Sequence, residues 1–168
     1  TLLPESERKE KQIEKYKNLF FQKNQYIFGL FYVKQNIINQ GYAFIVEGQF
    51  DTYSCHSRNL SNTIGICGSS FSYHQQFLLR FYTSKLYFIL DNDEAGRKAA
   101  KKIKQQNFFQ FEIYFLYLPS GYKDVDEYFR SHSKKDFYSE VFITAAEEEK
   151  CEILPPTDQM LTNICSPK

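Results

Sequence analysis

Two uninterrupted apolar runs, each ending in an acidic residue, place the strongest constraint on the fold of this chain. The first, YAFIV at residues 42–46, leads directly into Glu47, and the second, LYFIL at residues 86–90, leads into Asp91 and Asp93. Continuous rather than alternating apolar character is typical of strands buried on both faces of a parallel sheet. Because the carboxyl ends of such strands line the ligand crevice of an open α/β sheet, we expect these acids to meet at one edge.

The acidic pair after the second run has two interpretations. Asp91 and Asp93 are two residues apart, so both carboxylates can turn toward one point, where a hard divalent cation such as Mg²⁺ would relieve their repulsion. Alternatively, Asp93 caps the following helix, and Glu94 interacts favourably with the positive end of that helix. This stretch alone leaves both interpretations open.

Helical and strand patterns alternate along the chain from residue 30 onward. This order predicts an α/β domain with a roughly four-stranded parallel sheet and right-handed crossovers. The predicted strands cover residues 43–47, 62–66, 85–90 and 111–118, and the predicted helices cover residues 30–40, 52–59, 72–82, 94–106 and 133–147, with one more helix opened by Asp124 and Asp126.

The start of the predicted helix at residue 72 also has two interpretations. Amides of the preceding Gly-Ser-Ser turn would contact phosphate at a helix N-terminus. Equally, Ser72 and Gln75 have the spacing of a capping box, in which each side chain bonds the backbone of the other residue.

Several motifs in this order resemble those of the TOPRIM domain of bacterial DnaG-type DNA primases. They are KYKN at 15–18, FQK at 21–23, EGQFD at 47–51, CGSSFS at 67–72, DNDEAGRKAA at 91–100 and LPSGYKDVDE at 118–127. The resemblance implies a TOPRIM-type, Rossmann-like α/β fold over residues 42–132. It also implies a helical N-terminal lead-in at 1–41, which ends the preceding part of the polymerase core, a C-terminal helix at 133–150 and a loose tail at 151–168.

The same resemblance implies a set of functional residues. Glu47, Asp91 and Asp93 would be catalytic and would hold Mg²⁺ or Mn²⁺. Three further acids would lie in or near the ligand set, namely Asp51, Asp124 and Asp126. In the lead-in, the residues expected to face the template or the nucleotide phosphates are Lys15, Tyr16, Asn18 and Lys23.

The activity implied by the resemblance is RNA primer synthesis, in which a 3′-hydroxyl attacks the α-phosphate of an incoming NTP on a single-stranded DNA template. The implied partners are that template, NTPs and a replicative helicase contacted through a domain absent here. No zinc module precedes the motifs, so we expect a catalytic fragment of a longer enzyme. Two alternatives remain: another TOPRIM chemistry, such as nuclease or topoisomerase-like cleavage, and a non-catalytic, cation-dependent nucleic-acid-binding module.

Charge and cysteine content limit the modes of nucleic-acid and metal binding that this chain can use. With 21 Lys and Arg against 20 Asp and Glu in 168 residues, the chain lacks the general basic field of a strong non-specific duplex binder, so nucleic-acid binding must come from local patches or bridging cations. The four cysteines form no C-x-x-C pair, which argues against a zinc ribbon and favours free thiols without disulfide partners. With no signal peptide or membrane-length apolar run, we expect a cytoplasmic, replisome-associated protein.

Overall fold

The computed structural model describes residues 22–142, together with the isolated Ser6. The predictions for residues 1–5, 7–21 and 143–168, including the loose tail, lie outside the described residues. The described part begins with a 3₁₀ turn at Lys23–Gln25. The strands are β1 (Tyr42–Val46), β2 (Thr63–Gly65), β3 (Lys85–Ile89) and β4 (Glu112–Phe115), and the helices are α1 (Leu30–Gln40), α2 (Gln49–Ser57), α3 (Tyr73–Leu79), α4 (Glu94–Gln105), α5 (Val125–Phe129) and α6 (Lys134–Asp136), the last continuing as a π-helical segment at Phe137–Phe142.

The four strands form one parallel sheet in the order β2-β1-β3-β4, which confirms the predicted fold class. The two apolar runs are the two central strands, and this position explains why both are apolar on both faces. Val46 is paired with Ile89, so the residues that follow each strand emerge side by side at the same edge.

Each central strand contributes side chains to two separate cores. Phe44 and Val46 pack toward α2, α5 and the π-helical segment, whereas Ala43 and Ile45 pack toward α1, α3 and α4. All four side chains are fully buried. Burial of one large apolar side chain contributes roughly 1.5–3 kcal/mol, so these two layers hold the sheet between the helices.

Most element boundaries agree with the sequence prediction, and the differences have local causes. Helix α1 ends where predicted, because Gly41 adopts the left-handed conformation (φ 76°) that closes a helix. Helix α2 begins at Gln49, three residues before the predicted start, because Asp51 accepts a hydrogen bond from the Gly48 N–H and so caps the first turn.

The C-terminal helical prediction is only partly correct in the described residues. A capping box between Ser133 and Asp136 starts α6, but the regular helix stops at Asp136 and a π-helical segment follows. Phe137 and Val141 of this segment are fully buried against the sheet. The segment therefore extends the core beyond the end of α6.

One contact that the sequence did not indicate joins the lead-in to the sheet. Phe28 forms an isolated antiparallel bridge with Gly65 at the end of edge strand β2, with N–H···O distances of 2.8 and 3.0 Å. A Cβ at Gly65 would lie 2.7 Å from Thr52 Oγ1, so glycine permits this close packing. Among the described helices, none is both long and apolar enough to cross a membrane.

Candidate functional site

Glu47 and Asp91 lie together at the carboxyl ends of β1 and β3, where the Asp91 N–H donates to Glu47 Oε1 at 3.2 Å. Both carboxyl groups are half-buried. Burial, with the nearby charge of Asp91, raises the pKa of Glu47 from 4.5 to about 7. Burial also raises the pKa of Asp91, from 3.8 to about 6, with the charge of Asp51 as the next contribution. The negative charges at this edge are therefore only partly balanced by nearby positive groups and hydrogen-bond donors.

The backbone around Asp91 is fixed by Gly96 and Asp93. Asp93 is the N-cap of α4, and its Oδ1 accepts a hydrogen bond from the Gly96 N–H at 2.8 Å. A Cβ at Gly96 would lie 2.0 Å from the Asp91 carbonyl oxygen, a distance that no side chain tolerates. Glycine is thus required for the chain to fold back over Asp91, and the capping interpretation of Asp93 is confirmed.

The loop after β3 is tied to the loop after β4 by Asn92. The Asn92 N–H donates to the Lys123 carbonyl oxygen at 2.7 Å, and the Asn92 side-chain amide lies 3.4 Å from the carbonyl oxygens of Leu118 and Tyr122. These bonds bring the predicted acids that follow β4 to the same edge as Asp91.

The predicted ligands Asp51, Asp124 and Asp126 are engaged by protein groups. Asp51 accepts hydrogen bonds from the N–H groups of Gly48 at 3.0 Å and Asp126 at 3.2 Å, and burial raises its pKa. Asp124 is the N-cap of α5. The Asp126 carboxylate accepts from the Ser54 hydroxyl and pairs with the arginine directly after α5, and these two partners lower its pKa.

The donor set fits a lightly coordinated cation rather than a closed protein cage. Within residues 22–142, no three acidic, histidine or cysteine side chains are grouped as a metal-ligand set. Mg²⁺ typically binds through only one or two carboxylates and completes its octahedron with water and phosphate oxygens. Glu47 and Asp91, with hard oxygen donors and raised pKa values, have the chemistry for this mode. The metal-binding roles of all six acids stay predictions.

Lys123 is a charged residue of this edge that the list of sequence-predicted site residues did not include. Its Nζ lies 3.9 Å from Asp91 Oδ2, and its side chain is largely exposed. Its positive charge offsets part of the rise in the pKa of Asp91 that burial causes. The available signal was its position in LPSGYKDVDE, directly before Asp124.

Of the lead-in residues predicted to bind nucleic acid or nucleotide, only Lys23 lies in the described part, because Lys15, Tyr16 and Asn18 fall outside it. The Lys23 charge acts on the half-buried thiol of Cys67: burial raises the pKa of that thiol, and a hydrogen bond from Gln49 and the Lys23 charge lower it. The backbone places this residue near the edge: Gln75 Nε2 lies 3.4 Å from the Lys23 carbonyl oxygen and donates to that of Ile66, and the Ile66 N–H donates to the Val46 carbonyl oxygen, one residue before Glu47.

The start of α3 shows the predicted capping box. The Gln75 N–H donates to Ser72 Oγ at 3.2 Å, and the Ser72 N–H donates to Gln75 Oε1 at 3.0 Å. The capping interpretation is therefore confirmed, and phosphate contact by the preceding turn stays a prediction. In the described part of the chain, Cys55 and Cys67 are free thiols.

A protein-family model and a known protein both match a large part of this chain. A family model described as Toprim-like matches residues 44–129, about half of the chain. The DNA primase of Aquifex aeolicus (strain VF5) is 37% identical over 117 residues, which are 69% of this chain and 23% of that relative. The chain thus spans about a quarter of the length of this curated relative.

Two solved structures are similar in fold. The crystal structure of the Aquifex aeolicus primase (zinc-binding and RNA polymerase domains) superposes with a TM-score of 0.65 at 31% identity, covering 80% of this chain and 36% of that one. The RNA polymerase domain of Mycobacterium tuberculosis primase DnaG, crystallised with double-stranded DNA, gives a TM-score of 0.58 at 25% identity, covering 74% and 41%.

Proposed function

The chain belongs to the Toprim-like family as the TOPRIM domain of a bacterial DnaG-type primase, and on this basis we propose that it carries the catalytic acids for RNA primer synthesis on single-stranded DNA. The observation that supports this most directly is the juxtaposition of Glu47 and Asp91 at the carboxyl ends of two adjacent parallel strands. The chain spans only about a quarter of the primase relative, so we propose that it acts as part of a longer polymerase.

The proposed reaction forms a phosphodiester bond between a primer 3′-oxygen and the α-phosphorus of an NTP. The bond from that phosphorus to the β-phosphate breaks, pyrophosphate leaves, and the hydroxyl proton passes to a base. Mg²⁺ or Mn²⁺ held by Glu47 and Asp91, with Asp93 as the further expected ligand, would lower the pKa of the hydroxyl and neutralise phosphate charge.

The protein's own groups contribute binding, orientation and proton acceptance. Glu47 is the candidate acceptor of the hydroxyl proton, and a purely ligating role is the alternative. Lys123 beside Asp91, and Lys23 on the side of Glu47, would supply positive charge to the triphosphate and the leaving pyrophosphate.

Template binding would rely on local basic surface. The Mycobacterium tuberculosis relative was crystallised with double-stranded DNA, which supports a nucleic-acid partner for this chain. Helix α4 carries a dense run of positive charge on its exposed residues Arg97, Lys98, Lys101, Lys102 and Lys104. Lys15, Tyr16 and Asn18 would extend this contact from the lead-in, and a replicative helicase would be reached through another domain.

The decisive experiment measures two reactions in parallel. The chain is fused to the zinc-binding and upstream polymerase part of the Aquifex aeolicus primase. Incorporation of labelled NTPs on a single-stranded template is then compared with cleavage of labelled DNA. We expect primer synthesis by the parent and by the control Glu112→Gln, which changes an exposed acid on β4. Glu47→Gln should lower synthesis by about 100-fold or more, the range for loss of a group acting in proton transfer.

Each other outcome would contradict the proposal in a specific way. Full synthesis by Glu47→Gln would exclude both the ligand and the proton-transfer role of this residue. Cleavage without synthesis would identify a nuclease or topoisomerase-like TOPRIM chemistry. Cation-dependent DNA binding with neither reaction would identify a non-catalytic binding module.

A further inference from the structure

Gln75, on helix α3, joins three separate segments of the chain through one buried side chain. It is fully buried, and its Nε2 donates to the carbonyl oxygens of Tyr26 at 2.8 Å and Ile66 at 3.0 Å. The Lys23 carbonyl oxygen lies further off, at 3.4 Å. The Gln75 amide thus links the lead-in turn (residues 23–26), the end of β2 and the start of α3.

Two further contacts hold the lead-in turn in the same place. The Ser72 hydroxyl, from the cap of α3, donates to the Asn24 carbonyl oxygen. Just after the turn, Phe28 pairs with Gly65 through two backbone hydrogen bonds. Of these contacts, the Gln75 amide is the one that reaches both ends of the turn, at Lys23 and Tyr26.

The turn carries Lys23 and lies at the carboxyl edge of the sheet, because Gln75 also bonds Ile66, whose N–H donates at 3.1 Å to the carbonyl oxygen of Val46, the residue before Glu47. The Lys23 charge also lowers the pKa of the Cys67 thiol. A lysine side chain is long and flexible, so the position of its ammonium group depends on where its backbone is fixed. We propose that Gln75 is a positioning residue, which fixes the backbone of the lead-in turn so that Lys23 stands at the acidic edge, ready to contact a nucleoside triphosphate. This inference rests on the proposed function, because it assigns Lys23 to the same substrate.

The neighbouring residue Gln76 provides a matched control. It is also fully buried, and its Nε2 likewise donates to two backbone carbonyl oxygens, those of Phe71 at 3.0 Å and Gln106 at 2.7 Å. Its Oε1 accepts from the Phe108 N–H at 3.0 Å. Gln76 therefore has similar burial and bonding, but its partners lie away from the lead-in turn.

The first test measures triphosphate binding by the full 168-residue chain, using a fluorescent ATP analogue with Mg²⁺ at a temperature where every variant is folded by circular dichroism. Replacing either glutamine by methionine keeps the length of the side chain but leaves buried backbone groups without their partner, so both variants should lose stability. Gln75→Met and Lys23→Gln should each also weaken binding about tenfold, whereas Gln76→Met should bind like the parent.

A double variant then tests whether Gln75 acts through Lys23. If it does, adding Gln75→Met to Lys23→Gln should weaken triphosphate binding no further, because the positioned group is already gone. Independent, additive losses would contradict the proposal.

The second test does not depend on any ligand. In a background where Cys151 and Cys165 are replaced by serine, alkylation by iodoacetamide reports on Cys67, because Cys55 is fully buried. Displacing the Lys23 charge raises the thiol pKa and lowers the thiolate fraction. Gln75→Met should therefore slow alkylation at least about twofold, as Lys23→Gln does, and Gln76→Met should not.

The two tests separate failure of this inference from failure of the proposed function. If Gln75→Met matches Gln76→Met in both measurements, Gln75 has only a structural role and the inference is wrong. If the parent itself fails to bind the triphosphate, the proposed function is contradicted, and the alkylation rates still decide whether Gln75 positions Lys23.

Discussion

Replacing Glu47 by glutamine should stabilise the metal-free protein at alkaline pH, because it removes one of two half-buried carboxylates that repel each other. The folded-state pKa of Glu47 is about 7, above its ordinary 4.5. The stability associated with its protonated form is therefore fully present below pH 4.5 and is lost as the pH rises through about 7. Glutamine never ionises, and it keeps an oxygen that accepts from the Asp91 N–H.

The size of this effect follows from the two pKa values. The difference between 4.5 and about 7 corresponds to roughly 3.4 kcal/mol at 1.36 kcal/mol for each pH unit. Glu47 is only half-buried, and solvent screening reduces the effect to about 1–2 kcal/mol. For a chain of this length, 1 kcal/mol changes the Tm by about 2–4 °C.

The assay is urea unfolding in EDTA at pH 4 and pH 8, followed by circular dichroism. Parent and Glu47→Gln should have nearly equal free energies of unfolding at pH 4, and the variant should be more stable by about 1–2 kcal/mol at pH 8. Glu112→Gln, on the exposed edge of the sheet, should change the free energy of unfolding by less than about 0.5 kcal/mol. A Glu47→Gln variant that is equal to or less stable than the parent at pH 8 would refute the argument that charge repulsion destabilises this edge.

Three further predictions concern the backbone, the metal and the nucleic acid. Gly96→Ala should lower the free energy of unfolding in urea by about 3 kcal/mol or more, because its Cβ would clash with the Asp91 carbonyl oxygen. The control Gly68→Ala, where a Cβ meets nothing within 4 Å, should be nearly neutral. Equal losses of stability in the two variants would contradict the close approach. Isothermal titration with Mg²⁺ should show a weak site that Asp91→Ala and Asp93→Ala remove, and parent-like binding by both variants would leave these acids as structural groups only. Fluorescence anisotropy should show weak single-strand binding that falls steeply with salt, whereas tight, salt-independent binding would indicate aromatic stacking instead. We expect this binding to depend on Lys15, Lys23 and the lysines of α4.

The sequence was sufficient for the sheet and for the edge where the acids gather. The apolar runs of β1 and β3 are typical of buried strands, and two parallel central strands bring the residues after them to one edge. Gly41 marked the end of α1 for an equally local reason, since it closes the helix in the left-handed conformation. These features depend on residues close in sequence, and local patterns therefore predicted them.

The sequence left undecided which group each acidic side chain would bond. Asp93 was equally suited to a cap or a cation, and the structure shows the cap, with the metal role still a prediction. The hydrogen bond between Asp51 and Asp126 joins residues that are 75 apart in sequence, and the one between Gln75 and Tyr26 joins residues that are 49 apart. Hydrogen bonds require atoms within about 3 Å of each other, and for residues this far apart only the packed chain determines that distance. The sequence thus determined where negative charge would collect, and the tertiary structure decided which carboxylates cap helices or bond distant residues and which two, Glu47 and Asp91, lie side by side at the strand ends and are the donors that we propose for a cation.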